Sequence, residues 1–212
     1  MDKAEALKTI TDFWNNRYAK SGYTYGDEPN AFFKHTIDSL PVGSVLIPAA
    51  GQGRDAVYAA SLGWEVDAFD LSNEGRKKAL ELAAQKNVNI SFEVANALDF
   101  KTDKQYDLIA LIYFHLAPSA RAIFYKRMVD RLKPNGILIV EAFNPMQKDA
   151  LSGGPQDPRL LIDKHDLTDY FSALRCLQNE YFVVEMNEGE GHRGIANIVR
   201  YMGKRNLCED GK

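Results

Sequence analysis

The sequence predicts an α/β domain with a doubly wound, mainly parallel sheet, and three observations favour it. Strand and helix patterns alternate from residue 44 to residue 143. The strand pattern of Tyr106–Tyr113 is almost continuously apolar after Asp107, as in strands that are covered on both faces. Two β-rich stretches, 178–187 and 194–203, are joined by a connection that is too short for a parallel crossover. We therefore expect five parallel strands and a C-terminal antiparallel hairpin in one seven-stranded mixed sheet.

The elements of the N-terminal half follow from apolar periodicity and turn residues. A helical pattern extends to about Ala19, and an irregular aromatic segment follows it. Gly63 is a suitable left-handed residue to end the helix after the first strand. The predicted order in this half is the helix to Ala19, the aromatic segment 23–29, a helix 30–39, a strand 44–48, a helix 55–62 and a strand 65–69.

The C-terminal half is predicted in the same way. Ser72 is placed to cap a helix that continues to about Lys86. Pro118 is expected to begin a later helix, and Lys133–Gly136 is expected to form a turn. The remaining predicted elements are strands 89–94 and 106–113, a helix 118–132, a strand 137–143, a glycine- and proline-rich loop 151–158, a helix 164–174 and the terminal hairpin.

Composition narrows the class of protein. The chain has 212 residues, of which 45% are hydrophobic and 26% charged, and this suits one globular domain. Its net charge of −3 offers no basic field to a nucleic acid, and no apolar stretch is long enough to cross a bilayer. Cys176 and Cys208 show neither metal-ligand nor disulfide-framework spacing. We expect a cytoplasmic protein with no bound metal and no nucleic-acid or membrane partner.

The most informative motif is the turn Gly51-Gln52-Gly53, which ends an apolar strand and opens a helix. Glycines without Cβ atoms allow a sharp turn and close approach of the backbone to a ligand. Asp70 follows 19 positions after Gly51, at the end of the next strand, where a carboxylate is placed to accept hydrogen bonds from ribose hydroxyls. This unit predicts a site for an adenosine-containing cofactor. Because Ala56 is an accepted replacement for a third glycine, the turn leaves nicotinamide and flavin cofactors open.

Further polar residues follow the neighbouring strand. Asn96 is placed to bond the adenine edge, and Ala97 to offer a backbone N–H. The alternative is that Asn96 only stabilises a turn, and that Asp70 only caps a helix beside Ser72. The sequence leaves both interpretations open.

Taken together, residues 45–55, 66–72, 106–116 and 132–143 resemble the class I S-adenosylmethionine-dependent methyltransferases. Residues 14–18, 25–30 and 188–194 are similar to the bacterial branch that includes tellurite-resistance and thiopurine methyltransferases. The resemblance implies a Rossmann-like methyltransferase fold, S-adenosylmethionine as cofactor, S-adenosylhomocysteine as product and a small-molecule acceptor. It also implies one domain over 1–212, made of an N-terminal helical and aromatic cap (1–40), a cofactor-binding core (41–145) and a helix with the terminal hairpin (146–212).

The site residues expected from this resemblance fall into two groups. His115 is a candidate base, with a packing or capping role as its alternative. His192, with Arg193, is placed to reach or orient the acceptor, or else to stabilise the hairpin connection. Tyr25 is expected to be part of a lid whose aromatic faces attract a sulfonium, and Trp14 is expected in the core. The expected cofactor-binding residues are Tyr25, Gly51, Gly53, Arg54, Asp70, Leu71, Asn96, Ala97 and Tyr113.

The leading hypothesis is therefore methyl transfer to an S, Se, Te, O or N nucleophile of a small molecule. The segment after the fourth strand reads Ile-Tyr-Phe-His and lacks the Asn/Asp-Pro-Pro-Tyr tetrapeptide of enzymes that methylate exocyclic or amide nitrogens. This argues against DNA and release-factor substrates. Two alternatives stay open, an NAD(P)-dependent oxidoreductase and a non-catalytic S-adenosylmethionine-binding module.

Overall fold

The structure, a computed structural model, describes residues 2–207. Cys208 lies outside the described residues, and Cys176 is exposed. The helices and strands are α1 (Lys3–Tyr18), α2 (Ala31–Asp38), β1 (Ser44–Pro48), α3 (Arg54–Ser61), β2 (Glu65–Asp70), α4 (Asn73–Gln85), β3 (Ser91–Val94), β4 (Tyr106–Ile112), α5 (Pro118–Asp130), β5 (Leu132–Phe143), α6 (Lys164–Tyr170), β6 (Arg175–Glu188) and β7 (His192–Lys204).

The seven strands form one sheet in the order β3-β2-β1-β4-β5-β7-β6. Strands β1 to β5 are parallel, and β7 lies antiparallel between β5 and β6. The predicted doubly wound mixed sheet with a terminal hairpin is confirmed. The strand order reverses between β1 and β4, which makes the carboxyl ends of these two strands the topological switch point.

Alternating residues of the central strands pack into two separate cores. In β1, Val45 and Ile47 belong to one apolar cluster and Leu46 to another. In β4, Ala110 packs with the first cluster and Leu111 with the second. The sheet is therefore covered on both faces, as the continuous apolar run of β4 predicts.

The predicted helix ends are mostly correct. The Ser72 hydroxyl accepts a hydrogen bond from the Gly75 backbone N–H at 2.9 Å, which caps α4. Gly63 follows α3 in the left-handed region, at φ +87°. Helix α6 is shorter than expected and ends at Tyr170. Among residues 2–207, none of the helices has the length and apolar character of a membrane span.

The predicted turn at Lys133–Gly136 is wrong, because this segment is part of β5. Tyr106 pairs with Leu132 and Leu108 with Ile137, so extra residues bulge out of β5. The backbone N–H of Asn135 donates to the Arg205 carbonyl at 3.0 Å, and the Arg205 N–H donates to the Gly136 carbonyl at 2.9 Å. Partners supplied by the segment after β7 thus keep the bulge within the strand.

Candidate active site

The glycine turn lies at the switch point, between β1 and α3. Gly51 and Gly53 have φ +54° and +85°, in the region that favours glycine. Ala49 is also left-handed, at φ +51°. The turn is closed by a hydrogen bond from the Gly53 N–H to the Ala50 carbonyl at 2.9 Å. Ligands of open α/β sheets bind in the crevice outside the strands at this position.

Asp70 ties the end of β2 to this turn. Its Oδ2 accepts from the Gly51 N–H at 2.9 Å, and its Oδ1 accepts from the Ser72 N–H at 2.8 Å. Burial raises the pKa of the carboxyl to about 6, against the opposing hydrogen bonds from Ser72 and Gly51. Each oxygen retains a second lone pair, so the group has capacity for the two hydroxyls of a ribose. The acceptor oxygens at the end of β2 therefore fit the ribose of an adenosine-containing cofactor.

The N-terminal cap lies over the turn. A Cβ atom on Gly51 would lie 2.8 Å from the Tyr18 hydroxyl oxygen, so Tyr18 contacts the turn directly. Trp14 is partly buried and stacks on Tyr18 with ring centroids 5.4 Å apart, rather than lying in one of the apolar cores. The Asn15 amide oxygen accepts from the Ser72 hydroxyl at 2.7 Å, which places α1 beside the end of β2. A ligand that lies against Gly51 therefore requires a shift of α1.

Gln52 holds the aromatic segment to the turn. Its side-chain oxygen accepts from the Thr24 N–H at 2.7 Å, and its amide nitrogen donates to the Gly22 carbonyl at 3.2 Å. Sequence reasoning missed Tyr18 and Gln52, although both lie within or beside the motifs it used. Their contacts follow from the way the cap folds back on the turn.

The residues expected at the adenine side lie next to Asp70. The Ala95 N–H donates to the Asp70 carbonyl at 2.9 Å, so Asn96 and Ala97 follow directly after this link between β3 and β2. The Asn96 side-chain oxygen accepts from the Leu98 N–H at 3.3 Å, which is the turn-stabilising role that the sequence left open. Ala97 is buried and Leu71 is partly buried.

A buried carboxylate, Glu141 of β5, organises the other side of the switch point. Its Oε1 accepts from the Tyr113 hydroxyl at 2.8 Å and from the Asn30 side-chain amide at 2.6 Å. Its Oε2 accepts from the Arg200 Nε at 2.6 Å. Burial and the adjacent Glu141 raise the pKa of Tyr113, so its phenol stays protonated and donates. Glu141 was not predicted, although a lone carboxylate within the apolar run of β5 is a visible signal.

A second carboxylate, Glu188 at the end of β6, links two predicted site residues. Its Oε2 accepts from the Arg54 Nη2 at 2.9 Å and lies 3.1 Å from the His192 Nδ1. Burial would raise the pKa of Glu188, but the hydrogen bond from His192 and the Arg54 guanidinium hold it below its usual value. Arg54 also donates to the Tyr25 carbonyl at 2.8 Å. The structure thus brings Tyr25, Arg54 and His192 together.

Three aromatic rings surround His192. The ring centroids of Tyr25, Tyr113 and Phe143 lie 4.4, 4.6 and 5.3 Å from its own. The Tyr25 hydroxyl accepts from the Arg17 guanidinium at 2.7 Å, which fixes the aromatic segment against this group. Tyr113 and His192 therefore lie in one aromatic enclosure, formed with Tyr25 and Phe143, and the Glu188–Arg54 pair joins it to the helix that follows the glycine turn.

His115 has a different environment. Its Nδ1 lies 2.9 Å from the Leu160 carbonyl, and its Nε2 is sealed from solvent without a hydrogen-bond partner among the described residues. Burial lowers the pKa of this histidine to about 4. Its ring stacks on Phe143, with centroids 5.7 Å apart. These contacts favour the packing role that the sequence left open for His115.

The chain is similar to known methyltransferases in sequence and in fold. Residues 45–136 match the family model described as "Methyltransferase domain". "Thiocyanate methyltransferase 1" from Brassica oleracea is 31% identical over 127 residues, which cover 57% of this chain and 55% of that protein. The chain spans about half the length of the plant relatives it matches.

Two solved structures show the same fold. TehB from Haemophilus influenzae superposes with a TM-score of 0.70 at 17% identity, covering 92% of this chain and 67% of that one. The N-methyltransferase NodS from Bradyrhizobium japonicum WM9, in complex with S-adenosylhomocysteine, gives 0.68 at 16% identity, covering 92% and 97%. The chain therefore has the seven-stranded fold of these methyltransferase structures, and its residues 45–136 match a methyltransferase domain.

Proposed function

We propose that this protein transfers a methyl group from S-adenosylmethionine to a small-molecule acceptor. The observation that carries the proposal is the buried carboxylate of Asp70 beside Gly51, with an Oδ2···N distance of 2.9 Å. This arrangement supplies a ribose acceptor and a side-chain-free turn at the switch point. The match to a methyltransferase domain and the NodS complex with S-adenosylhomocysteine support the same cofactor.

Different residues near the turn bind different parts of the cofactor. Asp70 accepts from the ribose hydroxyls, and the backbone of Gly51 meets the amino-acid half of the cofactor once α1 and its Tyr18 shift. Gly53 packs on Ala79 of α4 and shapes the turn. Leu71, Asn96 and Ala97 line the adenine side. Arg54 acts indirectly, because its guanidinium is occupied by Glu188 and by the Tyr25 carbonyl.

The chain's part in the reaction is alignment and exclusion of water. When bound, S-adenosylmethionine supplies a methyl group on a sulfonium, which an acceptor displaces directly. The cap of α1 and the aromatic segment covers the turn, so the site is closed to solvent on that side. Tyr25 and Tyr113 present aromatic faces that favour a nearby sulfonium by about 1–2 kcal/mol when water is excluded.

A small-molecule acceptor is consistent with the net charge of the protein and with the aromatic surroundings of His192. The net charge of −3 offers nothing to a nucleic-acid backbone, and the enclosure around His192 is bounded by aromatic rings and by the hairpin. The thiocyanate methyltransferase relative supports a small nucleophile as acceptor. We also propose a cytoplasmic location for the reaction.

Calorimetric titration with S-adenosylhomocysteine tests the proposal. The wild-type protein is expected to bind, and the variant Asp70→Asn to bind at least tenfold more weakly, because the amide offers one acceptor where the carboxylate offers two. Glu65→Gln is the matched control, since Glu65 is exposed at the opposite end of the same strand. Absence of binding by the wild-type protein at millimolar ligand would end the proposal.

A further inference from the structure

The tautomer of His192 follows from its contacts. Its Nδ1 faces a carboxylate oxygen of Glu188 at 3.1 Å, and an ionised carboxylate only accepts hydrogen bonds. The proton of the neutral imidazole therefore sits on Nδ1, and the lone pair sits on Nε2. Nε2 has no hydrogen-bond partner among the described residues, and it is not one of the unpartnered polar atoms that are sealed from solvent.

We propose that His192 is the general base of this methyltransferase, positioned by Glu188, and that the acceptor is a neutral, proton-bearing thiol or phenol rather than a preformed anion. The inference rests on the proposed function and deepens it by assigning the acceptor class. Glu188 is a positioning residue here, because it holds the ring and the tautomer and acts only through His192.

The position of His192 suits this role. Its ring lies 4.6 Å from that of Tyr113, which directly follows β4 at the switch point. Glu188 connects it to Arg54, the first residue of α3 after the glycine turn. The base thus lies at the carboxyl edge of the parallel strands, on the side of β4.

The surrounding charges favour a neutral acceptor. Burial lowers the pKa of His192 against the raising effect of Glu188, so the imidazole is neutral at neutral pH. The ionisable groups that face it are Glu188, Arg54, Glu141, Tyr25, Tyr113 and His115. The guanidiniums of Arg54 and Arg200 are each paired with a carboxylate at 2.9 and 2.6 Å, so neither offers an unpaired positive charge to an anion beside His192, and the Arg17 guanidinium is held at the Tyr25 hydroxyl.

The transfer balances without another reactant. The proton of the acceptor's S–H or O–H bond moves to Nε2 of His192 while the sulfur or oxygen forms its bond to the methyl carbon. The methyl–sulfonium bond of the donor breaks, and its electron pair stays on the donor sulfur. The products are a neutral methyl thioether or ether, S-adenosylhomocysteine and an imidazolium, which loses its proton to water when the site opens.

The same chemistry is unavailable to His115. Its Nε2 is sealed, and its Nδ1 is engaged by a carbonyl of the segment that precedes α6. A base must reach the proton it removes. The two histidines therefore offer a direct internal comparison.

The test measures methyl transfer from S-adenosylmethionine to 2-mercaptoethanol, phenol and catechol, and to thiocyanate, which carries no proton. For His192→Gln, the rate with a thiol or phenol is expected to fall about 100-fold or more at neutral pH, while any rate with thiocyanate should be unchanged. Raising the pH should restore much of the thiol rate, because thiolate then forms in solution. His165→Gln, an exposed histidine of α6, should behave as wild type.

The variant Glu188→Gln tests whether Glu188 positions His192 for catalysis or only stabilises the fold. Loss of the carboxylate removes the interaction that raises the pKa of His192, so the acid limb of the kcat profile for a thiol or phenol should move to lower pH while kcat falls. A merely structural role would lower the rate without moving that limb. An equal loss for thiols, phenols and thiocyanate in His192→Gln overturns the proposal.

Two results with the wild-type protein would overturn the proposed acceptor class. A wild-type protein that methylates thiocyanate but none of the thiols or phenols overturns the acceptor class. So does a protein that binds S-adenosylhomocysteine and methylates none of these acceptors. A protein that does not bind S-adenosylhomocysteine at all fails the proposed function first, and calorimetry on the same preparation distinguishes this case.

Discussion

Glu141 and Arg200 face each other across the pairing of β5 with β7, and the Arg200 Nε lies 2.6 Å from the Glu141 Oε2. The guanidinium also lies over the rings of Phe32 and Phe182, at 5.1 and 5.0 Å from their centroids. Because Asn30 donates to the same carboxylate, this pair joins the cap, the parallel strands and the hairpin directly beneath the site.

Removal of one partner of this ion pair should lower the stability of the protein substantially. Arg200→Met leaves the Glu141 carboxylate buried with only neutral donors, so the free energy of unfolding should fall by about 3–5 kcal/mol. Urea denaturation measures the loss. The double variant Arg200→Met/Glu141→Gln should recover part of it, because no uncompensated charge remains.

An exposed pair serves as the control for this prediction. Lys8 and Asp12 of α1 are both largely exposed, and Lys8→Met should change stability by no more than about 0.5 kcal/mol. If Arg200→Met costs as little as Lys8→Met, the Glu141–Arg200 pair does not hold the hairpin to the core.

Alanine substitutions at two glycines distinguish the cost of a steric clash from the cost of left-handed backbone strain. A Cβ atom on Gly53 would lie 2.4 Å from the Ala79 Cβ, and its φ is +85°. Gly53→Ala should therefore lower the free energy of unfolding by more than about 2 kcal/mol, through left-handed strain and a clash with α4. Gly22 has φ +75° with open space around it, so Gly22→Ala carries strain alone, about 1–2 kcal/mol. Equal losses in urea denaturation would contradict the close packing of the turn on α4.

Cofactor affinity should depend on the ionisation of Asp70. Its pKa in the ligand-free protein is raised to about 6 by burial, and ribose hydroxyls donate best to the ionised form. Affinity for S-adenosylhomocysteine should therefore be complete above this pH and decline by up to tenfold per pH unit below it. Calorimetry from pH 5 to pH 8 measures the profile. Asp70→Asn should lose this titration, and a flat wild-type profile would show that the carboxylate does not hold the sugar.

The aromatic segment should loosen when Gln52 is shortened. Gln52→Ala removes the acceptor of the Thr24 N–H and the donor to the Gly22 carbonyl. With about 1 kcal/mol for each hydrogen bond, the Thr24 amide should exchange its hydrogen roughly tenfold faster or more. Hydrogen exchange of the intact, folded chain measures this rate. The exposed Gln105 provides the control Gln105→Ala, which should leave the Thr24 amide unchanged.

Local patterns were sufficient to predict the fold. The alternation of Val45, Leu46 and Ile47 between two cores, the cap at Ser72 and the left-handed Gly63 are all short-range consequences of residue type. The hairpin follows from the length of its connection. In contrast, the bulge in β5 depends on Arg205, which lies far along the chain and leaves no local signal.

The site was predictable only in part, because some of its contacts join residues that are far apart in the sequence. Asp70 and Gly51 are recognisable from spacing, because one helix and one strand separate them. Glu188 and Arg54 are 134 residues apart, and their pairing requires the hairpin to fold back over the glycine turn. Whether His115 or His192 has a reachable ring nitrogen likewise depends on neighbours from distant segments, so the sequence offered both.

The place of β7 between β5 and β6 has a consequence for synthesis. The first five strands leave the ribosome before either strand of the hairpin. Until β7 arrives, β5 is an edge strand with unpaired backbone groups, open to pairing with a neighbouring nascent chain. Before Arg200 of β7 is available as its partner, the charged side chain of Glu141 on that edge disfavours such pairing. We therefore expect a residue that helps to build the finished site also to limit aggregation of the growing polypeptide.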